Sequence, residues 1–146
     1  MLLGNHFSEL IKHQIDNSSD LRINILDWVD YVVPVPLHKK RLRKREYNQS
    51  LILASSVSKH TGIGLLKNCL LRVKTSVPQS QLPRKERFKN VKNVFDVAKP
   101  AMVNGKILLL VDDIFTTGAT INECSKVLLK AGAKEVRVLT LSRAIR

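Results

Sequence analysis

The chain has 146 residues, of which 44% are hydrophobic, and its 25 Lys and Arg against 12 Asp and Glu give a formal net charge of +13. This length predicts one domain with its own core and excludes two ordinary domains. No run of about 18 apolar residues could span a bilayer and no secretory leader pattern is present, so we expect a cytoplasmic protein without a membrane partner. The charge favours anionic partners, and pyrophosphate, nucleotides and nucleic acid all qualify.

The first 30 residues are predicted to form a helical segment that packs on the core of the domain. Apolar side chains recur there at helical spacing, namely Phe7, Leu10, Ile11 and Ile15. A second short helix between Leu21 and Asp30 would place Trp28 in the core. Tyr31 to Val35 is then predicted as the first sheet strand, which Pro34 and Pro36 bring to an end.

The middle of the chain predicts a helix, a strand and a long basic loop. Asn48 is a plausible N-cap for a helix that closes near Gly62. Leu65 to Val73 is typical of a strand. Residues 74–92 show little periodicity and two prolines, so we expect a mobile flap there. Cys69 and Cys124 lie in apolar segments, which predicts buried free thiols and neither a disulfide nor a zinc site.

The segment from Lys106 to Thr120 carries the clearest functional signal. Its apolar run from Ile107 to Val111 predicts a buried central strand of a parallel sheet, and ligands collect at the carboxyl end of such strands. Asp112 and Asp113 follow directly, where their repulsion is relieved if a cation or a diol shares the charge. Vicinal ribose hydroxyls with Mg²⁺ would do so. Small and hydroxylated residues then open a helix and favour a bound phosphate. They are Thr116, Thr117, Gly118, Ala119 and Thr120.

A structural alternative is that the same residues form only a connection and a helix cap. Thr120 and Glu123 fit a capping box, and the acids would then belong to a polar turn. A cap alone, however, requires neither adjacent acids nor so many small residues. The apolar positions between Ile121 and Ala131 predict a helix that ends at Gly132, and Glu135 to Leu141 predicts a further strand. The whole pattern predicts a doubly wound α/β domain with a mainly parallel sheet.

The acids and the turn resemble the loop that binds 5-phosphoribosyl 1-pyrophosphate (PRPP) in type I phosphoribosyltransferases. Residues 33–49 and 72–95 further resemble the ComF family, and the likeness covers nearly everything from Tyr31 onward. It implies a transferase-like domain over residues 31–146. It also implies that Asp112 and Asp113 hold the ribose, with Mg²⁺ held indirectly through them, and that the turn holds the 5′-phosphate. Longer ComF-like proteins carry a zinc-binding cysteine module, and this chain has no such cysteine pairs upstream, so we expect a short form.

The same resemblance assigns roles in two further stretches. The loop after the first strand occupies the place where the family binds pyrophosphate, which assigns Pro36, Leu37, His38, Lys39 and Arg41 to that site. The flap corresponds to the loop that closes over the reacting centre, and its expected contributors are Lys74, Arg84 and Arg87. Positive charge at these positions would stabilise a departing pyrophosphate. The alternative is that the flap charges only solvate a loop.

Two functions follow from the resemblance. The first is transfer of a phosphoribosyl group between pyrophosphate and a nitrogenous base, with a ComF-like link to DNA uptake and natural competence. The second is a non-catalytic PRPP or nucleotide sensor, or a single-stranded-DNA-binding accessory in transformation or recombination. Basic residues could bind DNA non-specifically, although an aromatic content of 5% argues against a broad base-stacking surface. No motif identifies the acceptor base, and a homodimer stays open.

Overall fold

The computed structural model describes residues 25–37, 47–74, 77 and 82–143. Within these ranges the strands and helices follow one another in an alternating α/β order. They are β1 (Tyr31–Pro34), α1 (Gln49–Thr61), β2 (Gly64–Leu65), β3 (Leu70–Arg72), α2 (Arg84–Val91), β4 (Phe95–Val97), α3 (Pro100–Val103), β5 (Ile107–Phe115), α4 (Ala119–Lys130) and β6 (Glu135–Arg143).

A four-stranded parallel sheet forms the centre of the fold. Its strand order is β2-β1-β5-β6, and β3 and β4 form a separate antiparallel pair. In the central pair Tyr31 lies opposite Leu108 and Pro34 opposite Val111, so β1 ends beside the point where β5 reaches its acids. The predicted α/β fold with a mainly parallel sheet is confirmed.

Strand β5 is covered on both faces, as its unbroken apolar run predicted. Leu108 and Leu110 belong to the core on the α4 side, whereas Leu109 and Val111 belong to the core on the α1 side. All four are fully buried, which explains why this strand does not alternate between polar and apolar residues. Cys69 and Cys124 are buried free thiols, as expected.

The ends of α1 match the sequence prediction. Asn48 is the N-cap, and its side chain accepts a hydrogen bond from Ser50 N at 3.1 Å. Gly62 closes the helix with a φ of 75°, a left-handed conformation that glycine adopts without a side-chain clash.

Two predictions around the sheet are wrong. Trp28 is no core anchor, because its side chain is 85% exposed at a backbone φ of 63°. It lies in a turn at residues 25–28 that Arg137 holds by donating to Ile25 O and Asp27 O. The strand expected from Leu65 to Val73 is split into β2 and β3, since a turn at Lys67 and Asn68 carries the chain from one sheet to the other.

The flap predicted at residues 74–92 contains a helix in its second half. Helix α2 follows Pro83, carries Glu86 in its first turn and Lys89 in its last, and buries Val91. This placement of charges suits the helix dipole. Because residues 84–91 are helical, the prediction of irregular structure is wrong for that part of the flap. The N-terminal helix predicted on Phe7 to Ile15 lies outside the described residues. In the described ranges, no helix combines the length and the apolarity needed to cross a bilayer.

Candidate functional site

The carboxyl ends of β1 and β5 bring two of the predicted stretches together. Val35 N donates to Val111 O at 2.9 Å, so the loop at residues 35–37 leaves the sheet beside Asp112. Pro36 and Leu37, predicted for pyrophosphate, therefore lie at the same sheet edge as the predicted ribose ligands. The other predicted residues of that loop, His38, Lys39 and Arg41, lie outside the described residues.

Asp112 is a buried carboxyl group held by two donors on one oxygen. Its exposed fraction is 9%, and Oδ1 accepts from Ser50 Oγ at 2.9 Å and from Asp113 N at 3.0 Å. The pKa of Asp112 is raised to about 7, chiefly by burial and also by the nearby Asp113 carboxyl, while the Ser50 hydrogen bond opposes both effects. A ligand that donates hydrogen bonds to this carboxyl, or a cation that neutralises it, would stabilise its charged form.

Asp113 is half-buried and completes a pair of neighbouring carboxyl groups. Two carboxyls this close suit vicinal hydroxyls, which donate to both, or a divalent cation, which neutralises both. The described ranges hold no group of three or more His, Cys, Asp or Glu side chains that could bind a metal. The donor set of Asp112 and Asp113 thus fits Mg²⁺ only if a bound ligand supplies further oxygens.

The turn at residues 116–118 opens helix α4 with an unusual backbone. Gly118 is the N-cap at a φ of 78°, and a Cβ there would lie 3.0 Å from two atoms of the Phe115 ring. Thr117 Oγ1 accepts from Ala119 N at 3.4 Å. Because Gly118 has no side chain, it makes no side-chain cap, which suits the first turn of α4 to a bound anion.

The alternative of a capping box is wrong. The N-cap of the helix is Gly118, so Thr120 lies two residues too far along to be the N-cap. Glu123 Oε1 instead accepts a hydrogen bond from Asn93 N at 2.8 Å, which ties the end of α2 to α4. The predicted capping box therefore does not account for the composition of this turn.

The predicted catalytic residues of the flap lie just after β3 and on α2. Lys74 is exposed just beyond β3, and Arg84 is the first residue of α2. Arg87 Nε donates to Leu82 O at 3.1 Å, so this side chain holds the turn before its own helix. Their contacts with a leaving group stay a prediction.

A basic cleft of about 510 Å³ lies between α2 and α4. Its cations are Lys89, Lys92, Lys126 and Lys130, and Glu123 is the acid that lines it. Ala119, the first residue of α4, also lines the cleft, which therefore begins next to the turn at residues 116–118. We call this feature the lysine cleft.

Sequence reasoning missed Ser50, although it contacts Asp112 directly. The two residues are 62 positions apart, and no local pattern distinguishes this serine from others on α1. Asn48 was predicted as an N-cap. Its second hydrogen bond was not predicted: Asn48 Nδ2 donates to Val35 O at 3.1 Å.

Comparison with known proteins agrees with the fold. The family model of the phosphoribosyl transferase domain matches residues 47–145. Among solved structures, a glutamine PRPP amidotransferase from B. subtilis superposes with a TM-score of 0.58 at 23% identity, covering 92% of this chain and 26% of that one. Adenine phosphoribosyltransferase from Saccharomyces cerevisiae gives a TM-score of 0.55 at 13% identity, covering 97% and 69%.

Sequence relatives carry names linked to competence and to DNA utilization. The chain is 39% identical to competence protein F of Haemophilus influenzae over 84% of this chain and 54% of the relative. It is 34% identical to the DNA utilization protein YhgH of Escherichia coli over 82% and 52%, and 32% identical to competence protein ComFC of Bacillus subtilis over 77% and 44%. The chain thus spans about half the length of these relatives. The resemblance to the ComF family is confirmed.

Proposed function

The chain belongs to the phosphoribosyl transferase domain family, and on this basis we propose that it binds PRPP and transfers the phosphoribosyl group to a nitrogenous base. One observation carries the proposal. A pair of neighbouring carboxyls, a helix that starts at a glycine N-cap and the loop after β1 meet at one sheet edge, where a sugar, its 5′-phosphate and its leaving group would each find a partner.

In this reaction the bond from ribose C1 to the pyrophosphate oxygen breaks and a bond from C1 to a base nitrogen forms. Asp112 and Asp113 would accept hydrogen bonds from the 2- and 3-hydroxyls and orient C1. The backbone N–H groups of the 116–118 turn and of the first turn of α4 would hold the 5′-phosphate. Held at both ends, the sugar presents C1 to the loop at residues 35–37, and this orientation is a large part of the rate enhancement.

Mg²⁺ would be held by Asp112 and Asp113 together with oxygens of PRPP, and when bound it neutralises negative charge on the diphosphate. The two acids alone suit a loosely held cation. We therefore expect Mg²⁺ to bind with the ligand rather than before it.

Calorimetry with PRPP tests this proposal. Binding in the presence of Mg²⁺ is expected, and EDTA should weaken it. A panel of purine and pyrimidine bases would then be screened for pyrophosphate release. Binding without release for every base would favour a PRPP or nucleotide sensor, and absence of binding would contradict the proposal altogether.

The lysine cleft favours a second candidate function, binding of single-stranded DNA as an accessory in DNA uptake. Relatives of this chain are named for competence and DNA utilization. The cleft has four lysines against one acid, and half-exposed Phe88 supplies a ring at its edge for stacking against a base. Phosphate contacts of this kind depend strongly on salt.

Removal of two cleft lysines tests the second candidate. In Lys126→Gln/Lys130→Gln, the slope of log affinity for a DNA oligonucleotide against log salt should fall by about 1.4, since each single-strand phosphate contact contributes about 0.7. The control Lys59→Gln/Lys67→Gln removes the same charge at exposed sites outside the cleft. Fluorescence anisotropy at several salt concentrations gives the slopes. Equal losses in both variants would mean that the cleft is no specific site.

A further inference from the structure

A ring of hydrogen bonds joins the two halves of the proposed site through the first turn of α1. Ser50 Oγ donates to Asp112 Oδ1 at 2.9 Å, and Asn48 Nδ2 donates to Val35 O at 3.1 Å. Asn48 Oδ1 accepts from Ser50 N at 3.1 Å, and Val35 N donates to Val111 O at 2.9 Å. Because Val111 and Asp112 are consecutive, these bonds connect the end of β1, the end of β5 and the start of α1.

The bond between Ser50 and Asp112 is shielded from water. Ser50 is 4% exposed, and a buried hydroxyl needs a partner to offset the loss of hydration. Its partner is the same Oδ1 that accepts from Asp113 N. Two donors that converge on one oxygen restrict rotation of the carboxyl group more than a single donor would.

We propose that Ser50 is a positioning residue for ribose recognition, which holds the Asp112 carboxyl in the orientation that accepts the sugar hydroxyls. Asn48 is its counterpart, which keeps the loop at residues 35–37 at a fixed distance from the same carboxyl. This inference rests on the proposed function, because it concerns how the site reads a ribose. Ser50 acts through Asp112 and contacts no ligand itself.

Helix α1 offers a matched control for Ser50. Ser58 lies two turns further along, and its Oγ donates to Ile63 O at 2.6 Å. Ser58→Ala therefore removes a serine hydrogen bond of the same helix at the end away from the acids. A purely structural role of Ser50 would make the two alanine variants alike in every property except stability.

The test compares ribose 5-phosphate with 2-deoxyribose 5-phosphate, which lacks one of the two hydroxyls. Wild type should prefer ribose, since both carboxyls then have a hydroxyl to bind. In Ser50→Ala the preference should fall by about tenfold, because a misoriented buried carboxyl loses one charge-assisted hydrogen bond. Affinity for 2-deoxyribose 5-phosphate should change much less, and Ser58→Ala should keep the preference of wild type.

The outcomes separate the two proposals. If wild type binds neither sugar phosphate nor PRPP, the proposed function fails. If wild type prefers ribose and Ser50→Ala does so equally, the positioning role is overturned while the proposed function stands. Should Ser50→Ala fail to fold, Ser50→Thr keeps a hydroxyl beside Asp112, and its preference must stay close to that of wild type.

Asn48→Ser gives an independent reading of the other half of the ring. Serine is as good an N-cap as asparagine, but its side chain is too short to reach Val35 O as well. We expect the affinity for PRPP to fall by about fivefold, a typical cost for one lost hydrogen bond, while ribose 5-phosphate binds as before. Equal changes for both ligands would contradict a role of Asn48 in holding the loop.

Discussion

Replacement of Asp112 by Asn is expected to weaken PRPP binding by about 10- to 100-fold, the cost of one charge-assisted hydrogen bond. The fold should survive, because the Asn oxygen can still accept from Ser50 Oγ and from Asp113 N, as the carboxyl does now. Calorimetry with Mg²⁺ and PRPP measures the loss. Asp96→Asn, at the exposed middle position of β4, is the control and should bind as wild type does.

The same substitution has a pH signature in the protein without ligand. The Asp112 pKa rises from its ordinary 3.8 to about 7 in the folded protein, chiefly because burial disfavours the charged form. A raised carboxyl pKa adds stability that is complete below pH about 4 and is lost as the pH rises towards 7. Asn has no proton to lose, so the stability of wild type minus that of Asp112→Asn should be lower at pH 8 than at pH 5.

Urea unfolding of both proteins at the two pH values measures this difference. Any cost of the substitution itself cancels, because the same pair of proteins is compared at each pH. If Asp112→Asn is more stable than wild type at pH 8 but binds PRPP more weakly, Asp112 is a residue that serves binding at the expense of stability. A difference that does not change between pH 5 and pH 8 would contradict the buried, protonated carboxyl.

Strand β5 and the turn after it could be predicted because their signal is local. An apolar run covered on both faces, two acids and a small-residue turn occupy fifteen consecutive positions, and each has its own physical reason. Helix α2 was missed for the opposite reason. Its sequence RKERFKNV has only Phe88 and Val91 as apolar positions, too few for a periodic pattern, and only its packing against α4 buries Val91.

Contacts between distant parts of the chain explain what the sequence could not reveal. Trp28 appeared to be a core residue from its type alone, but the hold of Arg137, more than 100 positions away, fixes the turn that leaves it exposed. The hydrogen-bond partner of Asp112 could not be predicted either, since the sequence around a serine on α1 does not indicate which residue of β5 it contacts. Local patterns therefore located the acids, and only the tertiary fold identified the side chain that orients one of them.

Gly118→Ala is expected to destabilise the protein by about 2 kcal/mol and to abolish tight binding of the 5′-phosphate. Alanine resists the φ of 78°, and its Cβ would meet two atoms of the Phe115 ring at 3.0 Å. Relief of these contacts together with the backbone strain is expected to shift the turn as well as the Phe115 ring, which moves the N–H groups that would face the phosphate. Calorimetry with PRPP and with ribose 5-phosphate should show both ligands weakened alike, because they share that group.

Gly62→Ala is the control that separates the effect of backbone strain on stability from the effect of a changed turn on phosphate binding. Gly62 has nearly the same φ of 75°, but nothing lies within 4 Å of a Cβ built there, and it ends α1 away from the acids. It should cost about 1 kcal/mol in urea unfolding through backbone strain alone and leave PRPP affinity unchanged. If Gly118→Ala bound PRPP as tightly as Gly62→Ala, the prediction that this turn holds the 5′-phosphate would be contradicted.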